Sequence, residues 1–383
     1  MPAPVITRST ATPITLANWQ FPEHTGWSYR HIRELIPTAR IRRAASPTTL
    51  PTGARDHPDL PVRRLLDDDR TDGVLALHRG AIVLEEYRRG MRDEDVHLLQ
   101  SVSKSITGVL AGVLVHSGAL APEDRICEHV PELAGSAFEG ASVRDLLDMR
   151  AGTRFDETYA DPDSDIRASE AQFGWAPGPR PASDSLTYLR TLSNHRSHGG
   201  RFEYRSILTD VLGLVLERAA GRPFAQALGD ELWAPLGAET DAYVTVDAEG
   251  FAVADGGICV TLRDLARFGR MIADGGVVDG RRIVAAQWLD DTLAGGVDSR
   301  EAFAADEHSV DMPGGHYRNQ WWVPAGGHVL LALGIHGQFL FVDRASETVI
   351  AVVSTWPTSL DPDRHQRAVH AFRETARVLS AGA

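Results

Sequence analysis

Ser101 and Lys104, set three residues apart in "QSVSKSITGVLAGVLVHSG", residues 100–118, have the types and spacing of a nucleophile and its base, where the plain alternative is a serine N-cap followed by an exposed lysine. On a helix, positions i and i+3 share a face with Cβ atoms roughly 5–6 Å apart, so an extended lysine reaches the serine Oγ. A serine alcohol is a poor nucleophile until a neighbour takes its proton. Arginine cannot take it, because guanidinium keeps its own proton at any relevant pH, whereas lysine can once its pKa is lowered. Lys and Arg together number 39, and Lys104 is the sole lysine. Everywhere else this chain needs only positive charge, and arginine supplies it.

"GRFEYRSILTDVLG" (200–213) places Tyr204 immediately before a helical pattern. A tyrosine there is commonly a satisfied core residue. A lysine ammonium beside it would stabilise the phenolate, lower its pKa and fit it to pass a proton onward. Ser206 is either the cap of that helix or a hydrogen-bond donor in the site.

The elements that must hold these groups can be read from the pattern. After Ser101, the apolar residues Val102, Ile106, Val109, Leu110, Val113 and Leu114 fall at steps of three and four. Val115 adds a second face, which predicts a helix buried on most sides. Burial strips solvent from the Lys104 ammonium and the positive helix end adds to that penalty, so both are expected to favour the neutral amine. The first turn also carries unpaired N–H groups, so the Ser101 amide can stabilise an oxyanion. "GVLALHRGAIVLEEYRRG" (73–90) reads as a hairpin turning at Arg79-Gly80. "ASVRDLLDMRAG" (141–152) reads as a short helix with Ser142 as N-cap and Asp145 completing a capping box. Residues 205–221 and 261–276 read as longer helices closed by glycine. Residues 328–356 return to strands, and 363–380 form an amphipathic helix. Strands near both ends with helices between them predict one antiparallel sheet. The expected organisation is an irregular arm over 1–60 with Trp19 and Trp27 as anchors, a sheet domain from 61–120 and 321–383, and a mostly helical lobe over 121–320.

Bulk properties exclude several classes. Hydrophobic content of 43% and charged content of 24% suit a soluble globular protein. A formal charge of −13 argues against nucleic acid or an anionic membrane as partner. The first twenty residues lack the basic start and apolar run of a signal peptide. No stretch approaches the roughly 20 apolar residues of a membrane span. Cys127 and Cys259 are far apart and without metal-type spacing, so both read as buried small hydrophobes in a reducing cytoplasm. G-x-S-x-G, Walker and dinucleotide-binding patterns are absent. "DPDSD" (161–165) begins like a calcium loop but has Ile166 at the turn-glycine position and Gln172 at the bidentate-Glu position. His195 and His198 read as exposed histidines without acidic company. Nothing calls for a metal or an organic cofactor.

Ser101-x-x-Lys104 followed by Tyr204-Arg205-Ser206 resembles the serine β-lactamase and penicillin-binding superfamily, whose pattern is S-x-x-K, Y-x-N or S-x-N, then K-T-G. "VRDLLDMRAGT" (143–153) is similar to the segment between its first two motifs. "HLLQSVSKS", "VPELAGS", "DPDSDIRASEAQFGW", "TDVLGLVLERAAG", "ADGGICVTLRDLARFGRM", "RNQWW" and "GIHGQ" resemble its nylon-oligomer hydrolase branch, near the class C β-lactamases and related esterases. The resemblance implies an α+β, β-lactamase/transpeptidase-like fold: an antiparallel sheet flanked by helices, with an inserted mostly helical lobe. It implies Ser101 as the acylated nucleophile, Lys104 as its base and Tyr204 as proton donor to the leaving amine. The oxyanion donors would be the backbone amides of Ser101 and Ile335. Tyr159, Glu170, Trp175 and Asp255 would contact substrate, a small-molecule amide or ester, and a cytoplasmic homodimer is implied. Without the resemblance, Glu170 and Asp255 read as surface carboxylates and Trp175 as a core indole. With it, the two carboxylates give a reason for substrates carrying a free ammonium, which needs a carboxylate partner when it leaves water. Two departures stand out. Ser206 replaces the second-motif Asn, and the third motif, at "IHGQ", has no lysine, which puts efficient β-lactam turnover in doubt. The rival readings are a carboxylesterase of the same fold with little amidase activity, and a penicillin-binding-like sensor that is acylated without turnover.

Overall fold

The computed structural model describes residues 13–53, 59–68, 70–178 and 184–381. The Arg79-Gly80 turn closes the expected hairpin between β1 (Thr71–His78) and β2 (Ala81–Tyr87). Both turn residues have positive φ, 49° and 74°, the primed geometry that matches strand twist. The other strands of this sheet are β3 (His316–Arg318), β4 (Trp321–Val323), β5 (Val329–Gly334), β6 (Gln338–Asp343) and β7 (Thr348–Ser354). Their order is β2-β1-β7-β6-β5-β4-β3, antiparallel throughout, so β7 from the end of the chain pairs directly with β1.

The helices that matter for the site are α1 (Val102–His116), α2 (Val143–Leu147), α3 (Asp165–Gln172), α4 (Ile207–Ala220), α5 (Leu262–Ala273) and α6 (Pro362–Ala381). Successive strand residues point to opposite faces, and here both faces are covered. On β6, Leu340 and Val342 meet α5 at Gly269, where an added Cβ would lie 2.9 and 3.5 Å from them. Phe339 and Phe341 instead pack on Phe372 of α6, with ring centroids 5.5 and 5.7 Å apart. Every residue of β6 and β7 is therefore buried, which explains continuous apolar runs such as "TVIAVVS" where alternation would otherwise be expected. The Ser142–Asp145 capping box at α2 forms as read from sequence; such a cap is worth about 1 kcal/mol. Gly221 closes α4 in the left-handed conformation at φ 65°.

The arm is more ordered than expected. It holds a short helix, Pro22–Ser28, and a strand, Thr38–Ile41, that edges a second sheet with Ala242–Thr245, Ile258–Thr261 and Val96–Leu98. Its pattern is weak because so short a strand is specified by its partner, paired about 200 positions away (Arg40 with Tyr243). Trp19 is fully buried, whereas Trp27 is only partly so and stacks on His31. Cys259 is buried but Cys127 only half so, and both are free. His195 is exposed, yet it does have acidic company: its Nε2 lies 3.2 Å from Glu203. His198 is half-buried and its Nδ1 accepts the Gly152 N–H at 3.1 Å.

One turn ties the layers together. Asn319 and Gln320, between β3 and β4, both have positive φ, 51° and 67°, without a glycine to relieve it. Hydrogen bonds hold them there. The Gln320 N–H donates to Leu147 O at 2.9 Å and its Nε2 to Leu146 O at 2.8 Å, both on α2. Its carbonyl accepts from Ser105 Oγ of α1 at 2.7 Å, and its Oε1 from Thr209 Oγ1 of α4 at 2.9 Å. Asp148 anchors the same turn, accepting the Asn319 N–H at 3.1 Å and Arg318 Nη1 at 2.6 Å.

Candidate active site

Ser101 stands at the N-cap of α1, but its hydroxyl caps nothing. Instead Lys104 Nζ donates to Ser101 Oγ at 2.9 Å, and also to the Asp255 carbonyl at 3.1 Å. Asp255 Oδ2 lies 3.4 Å from the same nitrogen. Tyr204, delivered by the segment entering α4, places its ring 5.2 Å from Nζ, and its phenol is in hydrogen-bond contact with both Ser101 and Lys104. The chain enters Ser101 through Gln100, a non-glycine residue at φ 49°. Gln100 is held by donating Nε2 to the Tyr29 hydroxyl at 2.9 Å, so the arm supports the residue that leads into Ser101.

Strand β5 ends against this turn. A Cβ added at Gly334 would lie 2.8 Å from Leu99 O and 3.2 Å from Ser101 N. The next residue, Ile335, lines the pocket with Ser101. Among the described residues neither the Ser101 nor the Ile335 N–H has an acceptor. Two free amides beside a serine Oγ are the arrangement that stabilises a developing oxyanion. Gly334→Ala should therefore lower kcat by roughly 10- to 100-fold with little change in KM, because the methyl must push the Ser101 amide aside. Steady-state kinetics on a chromogenic ester would show it, and unchanged kcat would mean that β5 does not set this geometry.

Lys104 departs from expectation. It is 1% exposed, and burial does oppose its charge. The acidic groups around it, with the Asp255 carboxylate at 3.4 Å, outweigh that, so its pKa is raised and the resting group is an ammonium. Helix position and desolvation alone could not reveal this, because the acids come from distant segments. Tyr204 departs in the same way. Burial raises its pKa more than Lys104 lowers it, leaving a neutral phenol, the form a proton donor needs.

Residues 62–373 match the β-lactamase family. The chain belongs to the β-lactamase family. It is 40% identical over 380 residues to the 6-aminohexanoate-dimer hydrolase of Paenarthrobacter ureafaciens, covering 96% of this chain and 94% of that protein. It is 27% identical over 182 residues to the esterase EstB of Burkholderia gladioli, covering 44% of this chain and 43% of that one. Among solved structures, a candidate 6-aminohexanoate-dimer hydrolase from Bacillus anthracis superposes with a TM-score of 0.86 at 22% identity, over 97% of this chain and 99% of that chain. This chain is a serine hydrolase of the β-lactamase family with the fold expected from its sequence.

In this β-lactamase-family site, Tyr159, Glu170, Trp175, Asp255 and Ile335 line one pocket of about 410 Å³ with Ser101, mouth included. Trp175 is core and lining at once. It is 6% exposed, donates Nε1 to Thr245 Oγ1 at 3.0 Å, and meets Trp19 edge-on at 5.5 Å. Glu170 is not a bare surface carboxylate, since Arg167 Nη1 pairs with it at 2.7 Å. The same guanidinium donates to Tyr159 O at 2.7 Å, fastening the Tyr159 loop to α3. Ser206 does not cap α4 with its side chain; its N–H and hydroxyl both donate to Glu157 at 2.6 Å. Tyr159 OH donates to Glu157 as well, at 3.1 Å.

Glu157 and Asp210 are site residues that sequence reasoning missed. Burial pushes the pKa of each up, Asp210 well above the usual carboxylate range. Glu157 lies in a loop without periodicity, and nothing marked it. Asp210 did carry a signal: it interrupts the apolar stripe of "ILTDVLGLVL", where a carboxylate needs a partner. Among the described residues no group of three or more His, Cys, Asp or Glu side chains is placed to hold a metal ion. No described helix is long and apolar enough to cross a membrane.

Proposed function

We propose that this serine hydrolase cleaves linear amides such as 6-aminohexanoate oligomers, and short-chain esters, through an acyl-enzyme on Ser101. The observation that carries the reading is the 2.9 Å contact from the sole lysine to the serine Oγ, beside a buried phenol. The 40% identical 6-aminohexanoate-dimer hydrolase supports the substrate class.

Because Lys104 rests as an ammonium, it must release a proton before it can accept one. The Asp255 carboxylate, 3.4 Å away, holds the ammonium, so the proton leaves to solvent and the neutral fraction grows as pH rises. The neutral amine then removes the Ser101 proton as Oγ attacks the carbonyl carbon, and the carbonyl oxygen charges toward the Ser101 and Ile335 amides. When the C–N bond breaks, Tyr204 protonates the leaving nitrogen and recovers its proton from Lys104. Water repeats the sequence to release the acid. Tyr159, Glu170, Trp175 and Asp255 shape the pocket that receives substrate. A cytoplasmic homodimer belongs to the same reading.

Chromatography of products from the linear 6-aminohexanoate dimer, with mass analysis of the acylated enzyme, tests the proposal. The expected result is release of 6-aminohexanoate with an adduct on Ser101, and none in Ser101→Ala. The carboxylesterase alternative stays in play because Arg167 already neutralises Glu170, which weakens the pull on a substrate ammonium. It predicts fast hydrolysis of p-nitrophenyl acetate and no amine release from the dimer. A lasting adduct with no product from either substrate would favour the sensor reading.

A further inference from the structure

The acids around Lys104 outnumber it. Asp210 comes from α4, Asp255 from the loop after the Ala242–Thr245 strand, Glu157 from the loop before α3, and Tyr204 from the entry to α4. Glu170 of α3 also faces Asp255, but it has Arg167. Among the described residues, Lys104 is the cation among the leading influences on Asp210 and Glu157, and it pairs with Asp255. Two of these meet: the Asp255 N–H donates to Asp210 Oδ1 at 3.1 Å, and the Asp255 carboxyl is close enough to act on that of Asp210.

Two carboxyls this close in a buried site are not both ionised without a large penalty, so one of them is expected to hold a proton. We propose that Asp210 is a positioning residue that holds this proton and donates it to Asp255, so that the pair presents Lys104 with one negative charge. Burial decides which partner is neutral. Asp210 is 2% exposed, whereas the Asp255 side chain is 14% exposed and contacts the ammonium. The charge sits on the wetter, paired member and the proton on the drier one. The raised pKa of Asp210 agrees, with burial its leading cause and the Asp255 charge next. The consequence for catalysis rests on the Ser101–Lys104 reading above. A doubly ionised pair would hold the ammonium more tightly, whereas one charge lets Lys104 lose its proton at lower pH.

Infrared spectra of protein with isotope-labelled aspartate test the proton directly, since glutamates then drop out. At neutral pH the wild type should show the carbonyl stretch of a protonated aspartic acid, and Asp210→Asn should lose it. A wild-type spectrum without that stretch, or a variant that loses a carboxylate band instead, overturns the proposal whether or not the variants are active. The pH profile of acylation by p-nitrophenyl acetate reads the consequence. Asp210→Asn should keep the ascending limb in place, with the rate lowered less than about tenfold. Asp255→Asn should move the limb to lower pH by about one unit, because the ammonium loses its carboxylate. Equal displacement in both variants sinks the assignment. Failure of wild type to acylate Ser101 would instead sink the functional reading and leave the infrared result standing.

Discussion

Lys104→Arg should lower kcat/KM by about 10²- to 10⁴-fold, the range expected when a general base is removed. The substitution isolates proton acceptance from charge. Arginine can still pair with Asp255, 3.4 Å from the lysine nitrogen, and sit over the Tyr204 ring as Nζ does at 5.2 Å. It cannot lose a proton. The raised pKa of Lys104 adds a pH signature. At neutral pH only a small fraction carries the neutral amine, and that fraction grows tenfold per unit as pH rises toward the folded pKa. Wild-type kcat/KM should therefore climb through the neutral and alkaline range, whereas Lys104→Arg should be flat. Pre-steady-state acylation with p-nitrophenyl acetate across pH would report both. Full activity in the arginine variant would exclude lysine as the base, because the variant keeps charge and reach.

The balance that sets this profile marks the limit of what the sequence showed. Ser101, Lys104 and Tyr204 were legible because their chemistry is local: an i, i+3 spacing, a buried helix and a tyrosine at a helix entry. Their electrostatics were not. Asp255 meets Lys104 from 151 positions away, and Glu157 meets Ser206 from 49. No period or cap encodes such pairings, so burial was foreseen and its reversal by acids was missed. The fold divides along the same line. The hairpin at Arg79-Gly80 and the capping box at Ser142 follow from short-range turn and cap chemistry. The strand Thr38–Ile41 and the Gln320 turn depend on distant partners and gave almost no signal of their own.

That turn makes Gly108→Ala a severe substitution where general rules expect a mild one. Within a helix, glycine to alanine ordinarily stabilises by up to about 1 kcal/mol through propensity. Here the added Cβ would sit 2.3 Å from Asn319 O and 2.8 Å from Gln320 Cβ. Asn319 O is backbone, in a turn whose two left-handed residues are fixed by Asp148 and Leu147, so it cannot step aside. Overpacking of this kind costs about 1–3 kcal/mol or more, enough to cancel the propensity gain and reverse its sign. The strain can be relieved only by moving α1 away from the turn, and α1 carries Ser101 and Lys104 while α4 and the turn keep Tyr204 in place. Displacement of roughly 1 Å between reacting groups lowers rates by about 10²-fold. Gly108→Ala should accordingly lower both the Tm and kcat. Gly112→Ala makes the comparison, since its Cβ would meet the Trp288 side chain at 2.5 Å, and an indole can tilt where a pinned carbonyl cannot. Calorimetry and ester kinetics on the two variants distinguish the cases. If Gly108→Ala is as stable and active as wild type, the turn does not hold α1 in register. If both variants lose stability but only Gly108→Ala loses kcat, the contact with Asn319 fixes the distance between the serine–lysine pair and the tyrosine.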